Sequence, residues 1–91
     1  MFIETITSPR DEYEHWAALL RTVEDPPTGL VASIAWEAGD GNVTVLNAWA
    51  TPAAVADAYM ERVLPIIEAQ GEPANKPDRH GESIHFWIRA D

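Results

Sequence analysis

Apolar side chains form two kinds of pattern along this chain. Four short stretches are rich in β-branched and aromatic residues, which predicts strands. These stretches are residues 2–7, 30–36, 43–50 and 83–89. Two longer stretches, residues 9–24 and 52–70, repeat apolar side chains every three or four positions, which predicts amphipathic helices.

The second and third strand stretches meet at a Gly-Asp-Gly-Asn sequence, residues 39–42. A central Asp-Gly pair is a strong hairpin signal, because a type I′ turn needs positive φ at both central positions. Pairing Ala38 with Val43 fixes which residues share a face. One face then carries Ala32, Ile34, Trp36, Val43, Val45, Asn47 and Trp49. Both faces are mostly apolar, and the pattern leaves open which of them meets the helices.

Each predicted helix has a start signal. Ser8 is the predicted N-cap of the first helix, and Pro9 is its first residue. Thr51 and Pro52 have the same two roles in the second helix. Pro65 lies inside the second helix, where it removes one backbone donor, so we expect a kink there.

The elements follow one another in the order β-α-β-β-α-β, with residues 72–81 as a polar, proline-containing irregular stretch. This order is that of the split βαβ, or ferredoxin-like, arrangement. It predicts an α+β fold in which a four-stranded antiparallel sheet carries two helices on one face. The whole chain, residues 1–91, makes one domain of this kind.

In a domain this small, an uncovered apolar face of the sheet affects how stable a single copy can be. A folded monomer of 10.1 kDa exposes roughly 5,300 Å² and has a modest core, and the chain has no cysteine to staple it. A bare apolar sheet face is rare in a soluble monomer. A second copy is its natural cover, so we expect a homodimer that forms through the sheet face.

Net charge narrows the range of partners. The formal charge of −9 argues against binding to nucleic acid or to anionic membranes, whose phosphates would repel the chain. No run approaches the ~20 apolar residues of a membrane span. Residues 1–4 lack the basic start of a secretory signal, so we expect a cytoplasmic protein.

Four features occur together around the third strand. A tryptophan ends the strand (Trp49), a hydroxyl residue follows as a cap (Thr51), an aromatic residue lies on the next helix (Tyr59), and a Leu-Pro pair lies near its end (residues 64–65). In this combination the chain resembles the dimeric α/β-barrel proteins related to antibiotic-biosynthesis monooxygenases. The resemblance implies a barrel formed by two copies. It also implies a role among cofactor-free monooxygenases, haem-degrading enzymes, lactone isomerases, cyclases and proteins of unknown function.

The chain departs from these relatives at several positions. Haem-degrading relatives use an asparagine on the first strand and a histidine on the second helix, but residues 2–7 contain no asparagine and residues 52–69 no histidine. The acidic residue that commonly follows the strand-three tryptophan is Ala50 here, and Ser33 stands where many relatives have a histidine. Haem chemistry is therefore not expected, and no cofactor is predicted.

Two residues are candidates for catalysis. His85 shares a strand face with Trp87 and has the chemistry of a general acid or base near neutral pH; the alternative is a histidine at a subunit contact or on a half-exposed strand. Asn47 is a polar side chain between Val45 and Trp49 and has the donors to bind a ligand carbonyl or enolate. Its alternative role is a hydrogen bond to neighbouring backbone or to a threonine.

Several aromatic side chains are candidates for lining a site for a planar ligand, with core packing as the alternative. They are Trp16, Trp36, Trp49, Tyr59 and Trp87. The histidines show no metal-ligand spacing, so no metal site is predicted.

These features favour a small homodimeric protein that binds a small apolar or aromatic molecule in a cleft between helices and sheet. A cofactor-independent, monooxygenase-like enzyme is one form of this hypothesis. A non-catalytic ligand-binding or interaction domain is an alternative, and so is a structural dimer without a pocket. Whether the protein is an enzyme, and which ligand it takes, stays open at this point.

Overall fold

The computed structural model describes residues 1–71 and 79–83 of the chain. Their fold is α+β, with a four-stranded antiparallel sheet and two helical regions. The elements are β1 (Phe2–Pro9), α1 (Arg10–Leu20), β2 (Leu30–Gly39), β3 (Asn42–Trp49), α2 (Pro52–Ala58), a π-helical turn (Tyr59–Val63), α3 (Leu64–Gln70) and β4 (Arg79–Glu82). The strands lie side by side in the order β2-β3-β1-β4.

The turn between β2 and β3 has the predicted conformation. Asp40 and Gly41 have φ values of 54° and 76°, so both central residues are left-handed as a type I′ turn requires. Gly41 adopts this conformation without the steric penalty that a Cβ would bring.

The predicted hairpin register is wrong by one residue along β2. Gly39 pairs with Asn42, but a bulge then shifts the ladder so that Glu37, and not Ala38, lies opposite Val43. A one-residue shift moves every later side chain of the strand to the other face. Trp36 therefore does not share a face with Asn47.

Cross-strand pairing defines two faces of the sheet. The Glu4 face carries Phe2, Glu4, Ile6, Ser8, Ser33, Ala35, Glu37, Val43, Val45, Asn47 and Trp49. The Trp36 face carries Ile3, Thr5, Thr7, Ala32, Ile34, Trp36, Thr44, Leu46 and Ala48. Side chains alternate between these faces along each strand.

The helices lie over the Glu4 face. The Arg10 N–H donates to the Gly41 carbonyl at 2.9 Å, so the even-numbered residues of β1 direct their backbone hydrogen bonds toward β3. β1 and β2 run parallel to each other, and the connection between parallel strands is right-handed in almost all proteins. With that handedness, the side chains of the even-numbered residues of β1 point to the face on which α1 lies. His15 Nε2 of α1 lies 3.1 Å from Gln70 Oε1 at the end of α3, so both helical regions share one layer.

The apolar core of the described residues is small. Its buried apolar members are Val43, Ala48, Trp49 and Ala58.

The start of α1 differs from the prediction. Ser8 is a buried strand residue opposite Val43, so its side chain does not cap the helix. β1 runs on through Pro9, and α1 begins at Arg10 without a side-chain cap. Hydrogen bonds to Glu14 and Glu37 raise the pKa of the Arg10 guanidinium and tie this helix start to β2.

The second helical region begins and ends as predicted. Thr51 Oγ1 accepts from the Ala54 N–H at 3.2 Å, and Gly71 ends α3 with φ 76°. The predicted disturbance at Pro65 takes the form of the π-helical turn before it, in which the Leu64 N–H donates to the Tyr59 carbonyl five residues back. The wider turn accommodates the proline ring, which would clash with a carbonyl in a regular helix.

β4 occupies part of the stretch that was predicted to be irregular. It pairs with the edge of β1, with Phe2 opposite Glu82 and Glu4 opposite His80. The Met1 carbonyl accepts from the Ser83 N–H at 2.8 Å. The predicted strand at residues 83–89 lies outside the described residues from position 84 onward. Within the described ranges, no helix combines the length and apolar character that crossing a membrane requires.

Candidate functional site

A buried carboxylate lies at the centre of the sheet. Glu4 is 6% exposed and stands on β1, directly opposite Asn47 of β3. Trp49 follows Asn47 by two residues on the same face of β3, and it is 5% exposed. The β1–β3 register therefore brings one acidic, one amide and one indole side chain together beneath the helices.

Four side chains form a continuous hydrogen-bonded chain, which we call the Glu4 network. The Trp49 Nε1–H donates to Glu4 Oε1 at 3.0 Å, and the Asn47 Nδ2–H donates to the same oxygen at 3.2 Å. The Ser33 hydroxyl donates to Asn47 Oδ1 at 2.7 Å. Every donor in this chain points toward the carboxylate.

The directions of these bonds follow from the chemistry of each group. An indole N–H only donates, and an ionised carboxylate only accepts. The Asn47 amide must therefore turn its nitrogen to Glu4 and its oxygen to Ser33. A carboxylate taken out of water is costly unless it is hydrogen-bonded, and the two N–H donors on Oε1 offset part of that cost.

The network passes from solvent into the interior. Ser33 is exposed on the edge strand β2, Asn47 is half-buried, and Glu4 is buried. Ala35 and Glu37, which follow Ser33 on the same face of β2, are also exposed. Among the described residues, the β2 side of the Glu4 face is therefore exposed, and Asn47 lies between Ser33 on that side and the buried carboxylate.

The structure brings together two of the predicted site residues, Asn47 and Trp49. Trp36 is 45% exposed on the opposite face, because of the register shift. Tyr59 is exposed at the start of the π-helical turn. Trp16 is half-buried on α1, with its ring edge-on to the His15 ring at a centroid distance of 6.1 Å. The remaining two predictions, His85 and Trp87, lie outside the described residues.

Sequence reasoning missed Glu4 as a site residue. The available signal was its position on β1, where alternate residues Phe2, Ile6 and Ser8 would otherwise give a face with no charge. An assignment of Glu4 to the inner face of the sheet predicts an acidic group at the centre of the sheet. Its pairing with Asn47 required the long-range register between β1 and β3.

A concave region is present that none of the four residues of the Glu4 network lines. It is a groove of about 400 Å³ between the chain before β2 and the first turns of α2. It is lined by Pro27, Thr28, Gly29, Ala50, Thr51, Ala53, Ala54, Asp57, Ala58 and Glu61, and it contains none of the predicted site residues. In the described ranges, no three histidine or acidic side chains lie together in a metal-binding arrangement.

Comparison with known proteins bears on the fold. No model of a known protein family matches the chain, and no curated protein does. A solved structure that is similar in fold is the crystal structure of NE2512, a protein of unknown function from Nitrosomonas europaea. The match has a TM-score of 0.61 at 15% identity and covers 99% of this chain and 92% of that one. At this identity the likeness concerns the fold alone.

Proposed function

We propose that this protein is a homodimer that binds a small apolar or aromatic molecule between sheet and helices, beside the Glu4 network. Its topology is ferredoxin-like, and the dimer is a dimeric α/β barrel. The element order β-α-β-β-α-β and the antiparallel sheet support the topology. The observation that carries the binding proposal is the hydrogen-bonded chain from exposed Ser33 to buried Glu4.

The dimer is supported by the Trp36 face. Ile34 is 59% exposed there and Trp36 is 45% exposed, although both are large apolar side chains. A second copy on this face would shield the apolar side chains of both copies.

Binding in the interior layer is supported by the placement of polar groups. Asn47 and Glu4 lie among apolar neighbours, next to the buried indole of Trp49. Ligand sites are commonly apolar clefts with a few convergent polar groups that fix orientation. Ser33, the outer end of the hydrogen-bonded chain, is exposed and so connects these groups to the surface.

Calorimetric titration with a panel of small neutral aromatic compounds tests the binding proposal. We expect saturable binding at one molecule per protomer. Trp49→Phe removes the N–H that orients Glu4 and should weaken binding about tenfold, whereas Val23→Ala, at a position that is 92% exposed, should leave binding unchanged. Absence of saturable binding by every member of the panel would leave the protein as a structural dimer.

A second candidate is catalysis at the same site, as a cofactor-independent monooxygenase-like enzyme. The observation that favours it is a carboxylate, a group capable of general acid or base chemistry, within hydrogen-bonding distance of Asn47. Oxygen uptake in the presence of a bound compound tests it. Uptake that Asn47→Ala abolishes supports an enzyme, and no uptake with any bound compound supports a binding protein.

A further inference from the structure

Strand β2 lies at an edge of the sheet. Among the described strands its neighbour is β3, on one side. Residues 33–39 are exposed without interruption, and they include two large apolar side chains, Ile34 and Trp36. An edge strand presents a row of backbone N–H and C=O groups that another strand can bind.

The register determines which backbone groups of β2 face away from β3. Arg10 lies opposite Gly41 and donates to its carbonyl, so the odd-numbered residues of β3 bond to β1 and the even-numbered ones to β2. The β2 residues opposite those even-numbered positions are Ala32, Ile34 and Trp36. The residues that alternate with them direct their N–H and C=O groups outward, and these are Ser33, Ala35 and Glu37.

The middle of this edge has little protection against pairing with another strand. Natural edge strands are commonly guarded by proline, by lysine or by a bulge. Residues 30–39 include no proline, lysine or arginine, and Glu37 is their one charged residue. The two bulges of β2 lie near its ends, so residues 32–37 form a regular extended edge. Such an edge accepts a further strand through its backbone groups.

We propose that β2 of one copy pairs antiparallel with β2 of a second copy, about a two-fold axis at Ile34, so that two sheets join edge to edge. This inference rests on the proposed homodimer and assigns the backbone groups that form it. Ser33 then exchanges hydrogen bonds with the partner's Ala35, and Ala35 with the partner's Ser33. The axis repeats each contact, as a self-complementary interface requires.

This register suits the side chains of the Trp36 face. Ile34 meets its own copy across the axis, and the large Trp36 lies opposite the small Ala32, so that side chains of unequal size face each other. The two Glu37 residues lie on opposite sides of the axis, so like charges do not face each other. The Trp36 faces of both copies lie on the same side of the joined sheet. Pairing of edges is also what closes a barrel.

Proline at position 35 separates edge pairing from stacking of the two Trp36 faces. Ala35→Pro removes an outward N–H, a change that an edge strand tolerates, and the side chain stays on the Glu4 face. Sedimentation velocity should show the dimer weakened on the order of tenfold to a hundredfold, because each copy loses one intersubunit hydrogen bond. Ala35→Glu is the matched control, since it keeps the N–H and should dimerise like wild type. A dimer held by stacked faces alone would respond to neither change.

Amide hydrogen exchange, followed by NMR, tests the same groups without a proline. In the wild-type dimer, the Ser33, Ala35 and Glu37 amides should exchange slowly. In monomeric Ile34→Glu they should exchange at least about tenfold faster, because they then face water. The Ala32 and Trp36 amides bond to β3 and should stay protected in both proteins.

The outcomes separate this inference from the proposed homodimer. A wild-type dimer in which the three outward amides exchange fast would overturn the edge pairing and leave a dimer through the sheet face. A folded Ala35→Pro that dimerises like wild type would do the same, with near-ultraviolet circular dichroism reporting the fold. A monomeric wild-type protein would refute the homodimer and this inference together, and would leave the edge to an extended segment of another protein.

Discussion

Ile34→Glu tests the dimer at its most exposed large side chain on the Trp36 face. In the single chain, 59% of Ile34 is accessible to solvent. A charged residue at that position faces water in the monomer and costs its fold little. In the dimer, the same charge would lie in an apolar contact, and the two-fold symmetry of such a contact would place it there twice.

The size of the effect follows from the exposed fraction. Complete burial of an isoleucine side chain is worth about 1.5–3 kcal/mol, so burial of the exposed part in two copies contributes about 2–3.5 kcal/mol. Loss of this contribution weakens the dimer about 30- to 400-fold. The desolvation of two carboxylates adds to this minimum.

Sedimentation velocity across a concentration series measures the dissociation constant directly. Ala35→Glu is the matched control, because Ala35 is the next residue of β2, is exposed and points to the Glu4 face. We expect wild type and Ala35→Glu to be dimers at micromolar concentration and Ile34→Glu to be monomeric. A wild-type protein that sediments as a compact 10.1 kDa species would refute the reasoning, as would equal weakening by both substitutions.

Three further predictions concern stability, each measured by urea unfolding. Thr51→Ala removes the side-chain cap of α2 and should cost about 1 kcal/mol. Gly29→Ala should cost at least twice as much as Gly41→Ala: both residues have positive φ, but only at Gly29 would the new Cβ meet another atom, an α2 alanine Cβ at 2.5 Å. Trp49→Phe should cost about 1–3 kcal/mol, because Glu4 loses one of its two donors; a smaller loss would mean that water replaces the indole N–H.

Local sequence signals predicted the parts of the fold that depend on neighbouring residues. The Asp40–Gly41 turn and the Thr51 cap each require a particular residue type at a particular position, and both formed as expected. The register of β2 differs from the prediction, because a bulge between Glu37 and Gly39 inserts one residue. The pattern of apolar residues gives no sign of this insertion. A continuous apolar strand such as β2 reads equally well in either register.

The same distinction applies to the site. The sequence predicts that Asn47 and Trp49 share a face of the sheet, because they are two residues apart on one strand. Glu4 lies more than forty positions away along the chain, and its contact with them depends on how β1 pairs with β3. Ser8 was misassigned for a related reason, because pairing with Val43 extends β1 past the residue that has the composition of a helix cap.

A purely structural role for the network would be to fix the register of β1 against β3. That role needs an acceptor at Oε1, where the Asn47 and Trp49 donors converge, and a glutamine at position 4 would supply one without burying a charge. Buried charges are seldom the most stable choice, since apolar or neutral replacements of similar shape are often equally stable. The structural role therefore accounts for an acceptor at position 4 and does not by itself require a charge there.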